Sequence, residues 1–200
     1  MSYFFQAVTK SYTEVPISAD GAIDTVSFLE ATENLIKLFD FINPTAFSLV
    51  KGDMTGNVAK IRNKFLTAPL ALTTLQSVVI SEVSIQPKTA TEGLLWLERG
   101  LLFTALALRR NVDNPNEELS KSFQEAYKVS LGTYHNFLVR TGVNLAMNAC
   151  PSRKDFYAKL SPDPSEVSAK LGSWLAALEA INVIINKFFV DGGHDKGPFV

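Results

Sequence analysis

Leu75-Gln-Ser-Val-Val-Ile-Ser-Glu-Val-Ser-Ile85 is the only stretch of this 200-residue chain in which β-branched residues crowd together as they do in a strand. A lone strand would have no partner, and unpaired strands are not stable in water. The stretch therefore reads as a helix, and the whole chain with it as all-α. On either side, apolar residues recur at spacings of three and four: Val26, Leu29, Leu35, Ile36 and Phe39 upstream, and Leu171, Trp174, Leu175, Leu178, Ile181 and Ile185 downstream. Helix starts are marked at Asn43-Pro44, Thr89-Ala-Thr-Glu92, Asn114-Pro-Asn-Glu117, Ser152-Arg-Lys-Asp155 and Asp163-Pro-Ser-Glu166. Each sets a capping side chain before a helical pattern, most with Pro in first place or an acid in third. About eight helices follow, with irregular ends at about residues 1–22 and 191–200.

The length suits one domain with a sizeable core, and no linker-like stretch divides it. Hydrophobic residues make up 46% of the chain, and fourteen Phe tilt the aromatic content toward bulky apolar surface. With 19 basic against 20 acidic residues, no global positive field gathers nucleic acid, so no nucleic-acid partner is expected. The single cysteine, Cys150, forms no internal disulfide, and no leader pattern opens the chain; a cytoplasmic protein is the simplest expectation. Charged residues interrupt each apolar run before the ~18–20 residues that span a bilayer, so any membrane is expected to be met from the water side. Neither a metal-ligand spacing nor a Gly-x-Ser-x-Gly elbow is present, and no catalytic residue, metal or cofactor is assigned.

The binding candidates begin on the helix expected over about 44–66. Projected at roughly 100° per residue, Phe47, Val50, Met54, Ile61 and Phe65 form one arc, and Asp53, Asn57 and Lys60 cluster about 90° to its side. A carboxylate, a carboxamide and an ammonium in one line offer a polyhydroxyl ligand alternating acceptors and donors. By spacing alone the stripe reads first as a solvated flank. Trp96, on a helix expected over about 91–110, suits stacking on the apolar face of a sugar ring but equally suits a core. His135 falls in a run from Leu119 to Ala149, among Leu131, Tyr134, Leu138 and Val143, where a partly buried imidazole is more often a satisfied core residue than a ligand.

Taken together these residues carry a resemblance. Asp53-Met-Thr-Gly-Asn57-Val-Ala-Lys60, then Leu95-Trp96-Leu97-Glu98-Arg99-Gly100-Leu101 with Phe103, then Tyr134-His135, then Ala149-Cys150-Pro151 with Lys154-Asp155-Phe156, resemble the glycolipid transfer protein family. The similarity runs from about Ile23 to the end. It is closest to the fungal branch related to a heterokaryon incompatibility protein.

The resemblance implies a two-layer all-α sandwich that carries one glycosphingolipid between membranes without enzymatic chemistry. It implies that Asp53 accepts the ceramide amide N–H, that Asn57 and Lys60 bind the first sugar, that Trp96 stacks on it, and that His135 donates to the amide carbonyl. The hydrocarbon pocket would draw on Phe39, Phe47, Val50, Phe103, Leu131, Val143, Met147, Trp174 and Val200. Phe137 and Leu138 would touch the membrane, with Phe137 where animal members place Trp. A monomer in transient contact with the cytosolic face of membranes is expected, or a dimer formed on ligand binding. Asn57 and Trp96 favour a neutral sugar over the phosphate of ceramide 1-phosphate, which Lys60 and Arg99 keep as the alternative. Acid–base chemistry by Asp53 and His135, and a glycolipid sensor or scaffold without transfer, are the readings from other classes.

Overall fold

The computed structural model describes residues 3–195, so Val200 lies outside the described residues. Among them the chain forms nine α-helices and no strand: α1 (Phe4–Ala7), α2 (Thr25–Ile42), α3 (Ser48–Thr67), α4 (Leu75–Ile80), α5 (Thr89–Asp113), α6 (Leu119–Val129), α7 (Phe137–Asn148), α8 (Arg153–Ala158) and α9 (Pro164–Asp191). Short 3-10 turns cover Tyr12–Glu14 and Leu131–Thr133. The helices make a two-layer sandwich in which α5 is the hub, packed on α3, α6 and α9.

The segment that decided the class is helical, but only as far as Ile80. Thr74 and Ser77 cap each other's backbone N–H groups at its start, and Val78 and Val79 are buried. Beyond Ile80 the chain turns, leaving Val83 and Ile85 exposed. The turn has a purpose for α5: the buried Glu82 carboxylate accepts from the N–H groups of Ala90 (3.2 Å) and Thr91 (2.8 Å) and from the Thr91 hydroxyl (2.8 Å). A carboxylate from a preceding turn thus satisfies the orphan donors at the positive end of the longest-packed helix, in place of the local cap expected at Thr89.

Ser152 and Asp163 cap α8 and α9 as expected, the latter with Pro164 behind it. Asn114 to Glu117 do not cap α6. Glu117 turns back to pair in a fork with Arg110, at 2.7 Å twice, and α6 opens at Leu119. Asn43 accepts the Ala46 N–H in a turn, and α3 starts at Ser48, later than the sequence suggested.

Three further features bear on the expected organisation. Residues before α2 are largely irregular yet firmly packed, with Phe4 and Tyr12 buried and set edge-on against Trp174 at 6.0 and 5.7 Å. The run from Leu119 to Ala149 is broken after Val129. A Cβ at Gly132 would lie 2.6 Å from the Tyr127 carbonyl oxygen, so only glycine lets the chain fold back over the end of α6. Finally, α9 is long and apolar enough by composition to cross a membrane, with a mean hydropathy of 1.4 in its best window. The single charge between Leu171 and Asn186 is Glu179, and it is held by Arg109 of α5 in a fork at 2.8 and 2.9 Å. The buried side of α9, from Val167 through Trp174 and Leu178 to Phe189, belongs to the protein core.

Glu98 of α5 is buried, and burial pushes its carboxyl up to about 7, opposed by Arg99 and by a hydrogen bond with Asn186 of α9. The folded state therefore holds a proton there that the unfolded chain releases near 4.5. Stability is greatest below that value and falls as pH rises to about 7, by on the order of 3 kcal/mol. Glu98→Gln keeps the amide contact and removes the titration. Thermal melts should show it flattening the decline over this range and raising stability at about pH 8; an unchanged slope would contradict the assignment.

Candidate functional site

The site begins where α3 meets α5. A Cβ at Gly93 would lie 3.1 Å from Lys60 Cβ and 3.3 Å from the Asn57 carbonyl oxygen, so the bare glycine lets the two helices close up. One turn further along α5 comes Trp96. The polar stripe of α3 is thereby laid beside the indole. Within the stripe Lys60 Nζ donates to Asn57 Oδ1 at 2.9 Å, and Asn57 Nδ2 donates to Asp53 Oδ2 at 3.1 Å. Asn57 is buried and ordered by these two bonds with one amide N–H left over, while Asp53 and Lys60 reach the surface with one carboxylate oxygen and the remaining ammonium protons open. The protein crowded around Asp53 raises its pKa, and Lys60 opposes the rise.

On α5 the indole of Trp96 lies nearly parallel to the His135 ring, with centroids 5.9 Å apart at 16°. Behind it the Arg99 guanidinium sits 4.7 Å from the Trp96 ring and 3.7 Å from that of Tyr134. Arg99 is buried, and burial lowers its pKa. It is a cation–π brace for the indole.

His135 lies in the break between α6 and α7, just before Asn136, which caps α7. Its Nδ1 is 2.9 Å from the Tyr127 hydroxyl. Burial raises the Tyr127 pKa, so the phenol keeps its proton and has it to offer to Nδ1. Burial, then Arg140 and Arg99, lower the His135 pKa and hold the ring neutral. With the phenol as the donor, the one imidazole proton sits on Nε2 and is available to a ligand.

Below these groups opens a cavity of about 390 Å³. Asp53, Asn57, Lys60, Trp96 and His135 all line it, so the five residues named from sequence come together although they come from α3, α5 and the break before α7. Its apolar wall includes Val50, Phe103, Leu131 and Val143 of the expected pocket, together with Leu49, Met54 and Val139. Phe39, Phe47 and Met147 do not line it. They lie buried behind, where ring contacts run from Phe103 to Phe123 (5.4 Å), Phe47 (5.9 Å) and Phe39 (5.3 Å). Trp174 is elsewhere, enclosed by Phe4 and Tyr12.

Phe137 and Leu138, at the start of α7, are 85% and 78% exposed. Sequence reasoning missed two companions: Leu145, two turns along the same side of α7, and Leu49, whose Cδ2 would lie 3.7 Å from a Cβ at Gly142. It also missed Tyr127, which no helical spacing links to His135 across the break. Among the described residues no cluster of His, Cys, Asp or Glu has the makings of a metal site. The arrangement can hydrogen-bond a neutral polyhydroxyl group and an amide above an apolar hollow.

The chain is similar to known proteins in sequence and in fold. The sequence model of the family described as Glycolipid transfer protein (GLTP) matches residues 23–162. The chain is 49% identical over 185 residues to a glycolipid transfer protein of Aureobasidium melanogenum, covering 92% of each. It is 35% identical over 162 residues to the human pleckstrin homology domain-containing family A member 8, covering 79% of this chain and 31% of that one. The crystal structure of HET-C2, a fungal glycolipid transfer protein, superposes with a TM-score of 0.92 at 46% identity, covering 96% of this chain and 99% of the other.

The Tyr127–His135 bond fixes a tautomer that nitrogen NMR reads directly. The wild type should show a neutral imidazole protonated at Nε2, and Tyr127→Phe should let both tautomers populate. A wild-type ring protonated at Nδ1 would reverse the donor and overturn the assignment.

Proposed function

The chain belongs to the glycolipid transfer protein family, and from that membership we propose that it lifts one glycosphingolipid from a membrane and carries it through water to another. The observation that bears most weight is the convergence of five polar side chains on the mouth of an apolar cavity. In this reading the open oxygen of Asp53 accepts the ceramide amide N–H and a sugar hydroxyl. The Nε2–H of His135 donates to the amide carbonyl, Lys60 and Asn57 hold the first sugar, and Trp96 stacks on it. A lipid with no amide leaves Asp53 and His135 without partners, which disfavours glycerolipids.

A neutral sugar suits the mouth better than a phosphate. Asn57 brings no charge, and the Arg99 guanidinium lies over the faces of Trp96 and Tyr134 and does not line the cavity. Two hydrocarbon chains need more room than the cavity gives. At about 30 Å³ per methylene, comparable to the share of a water molecule, it holds on the order of a dozen. Loading therefore widens the hollow along the ring path from Phe103 toward Phe39. Each methylene brought in contributes about 0.8 kcal/mol against water, so a widened sleeve nearly matches the bilayer it replaces. Phe137 and Leu138, with Leu49 and Leu145 beside them, enter the surface of the membrane at its cytosolic face and bring the mouth to the lipid.

Transfer between vesicles of fluorescent glucosylceramide, ceramide 1-phosphate and phosphatidylcholine tests this. Only the glycosylated lipid should move quickly. Asp53→Ala should slow it by more than about tenfold, the worth of a hydrogen bond to a charged group, with the helical circular dichroism unchanged. Trp96→Ala should also lose head-group selectivity. Transfer of ceramide 1-phosphate alone would move the protein to a phosphate ligand, and transfer of none would make it a sensor or scaffold. Phe137→Ala combined with Leu138→Ala should slow transfer on the order of tenfold while leaving uptake of a water-soluble short-chain glucosylceramide intact.

A further inference from the structure

We infer that a second cleft, joined to the lipid cavity by the Tyr127–His135 hydrogen bond, seats the phosphate of an anionic lipid in the bilayer on which the protein docks. The inference rests on the docking reading above and adds a lipid preference to it.

The cleft has a volume of about 390 Å³ between α6 and α7, and its wall comprises Gln124, Tyr127, Lys128, Gly132, Arg140 and Asn144. Two of these are cationic and none is acidic. Glu125 of α6 is shared by Lys121 at 2.6 Å and Lys128 at 2.8 Å, so one carboxylate there faces two cations.

Arg140 is held rather than trailing. Its Nε donates to the His135 carbonyl oxygen at 2.7 Å, which leaves its terminal amino groups with no acceptor among the described residues. A fixed planar fork beside a second cation matches phosphate oxygens, and more so than a lone lysine does.

Position selects the source of that phosphate. Arg140 follows Phe137 and Leu138 on α7, one turn on from Phe137, and Val129, next to Lys128 at the end of α6, is 73% exposed. When apolar side chains enter a bilayer, cations set just above them lie at the level of the lipid phosphates. The same cleft carries both groups that hold His135, Tyr127 on its ring and Arg140 on its carbonyl. An anionic bilayer would therefore be sensed beside the residue assigned to the ceramide amide.

The test is binding to vesicles of phosphatidylcholine, alone and with added phosphatidic acid, at one ionic strength. It is read as the ratio of the two affinities for each variant. The wild type should favour the anionic vesicles, and Arg140→Gln and Lys128→Gln should each cut the ratio about fivefold. Lys170→Gln, which removes the same charge from α9, should barely change it. Lys128→Gln should also transfer glucosylceramide between neutral vesicles at the wild-type rate. Replacing chloride by millimolar inorganic phosphate at equal ionic strength should leave anionic binding in place.

An equal loss in Lys170→Gln would make the effect diffuse charge and overturn the site. Displacement by inorganic phosphate would make it a free-phosphate site and overturn the lipid assignment. Equal binding of the wild type to both vesicles would defeat this inference alone, whereas binding to neither would defeat the docking reading beneath it.

Discussion

The close approach of α3 to α5 at Gly93 is the contact on which the site depends. It buries Asn57, and a buried carboxamide must find partners. The partners within reach are those one turn to either side on its own helix, Asp53 and Lys60, so burial of the middle residue orders all three. The stripe is a preorganised ladder, and a ligand meets it without first ordering long side chains. Across the gap, Arg99 braces Trp96 from behind, and the Tyr127 hydroxyl sets the direction of His135. Trp96 and His135 are thus each held by a group outside the cavity wall, and the stripe holds itself.

Selectivity and carrying capacity come from different terms. Hydrocarbon chains pass from one apolar setting to another, so their large transfer energy against water nearly cancels between bilayer and sleeve. What remains, on the proposed reading, is the exchange of head-group hydrogen bonds with water for hydrogen bonds with the ladder. Single bonds of that kind contribute about 0.5–1.5 kcal/mol, and more when one side is charged. Several acting on one head group are enough to choose among lipids with equal tails. The buried Glu98 shows that α5 also carries costs: its carboxyl is driven up by burial, with one oxygen lacking a partner among the described residues.

Much of this was legible in the chain. The spacing of Asp53, Asn57 and Lys60 places them on one line of a helix, and a single helix obeys its own period whatever packs on it. Periodicity also shows that Trp174 and Phe39 are buried, but it does not say against what: Trp174 packs on Phe4 and Tyr12, and Phe39 stacks on Phe47. Caps were readable where they are local, at Ser152 and Asp163. They were not readable where the donors of α5 are satisfied by Glu82, because that bond depends on the path of the intervening turn. The break at residues 130–136 escaped notice for a related reason: only the steric conflict at Gly132 reveals it. With it went the link between Tyr127 and His135.

The central claim is that the ceramide amide is read by Asp53 and His135 together. The most direct measurement is the affinity for glucosylceramide beside that for its N-methylated amide, with the same sugar and chains. N-methylation removes the proton that Asp53 accepts and leaves the apolar burial almost unchanged. The account predicts about a tenfold or greater loss for the methylated lipid, and no such difference in Asp53→Ala. Equal affinity of the wild type for the two lipids would contradict it.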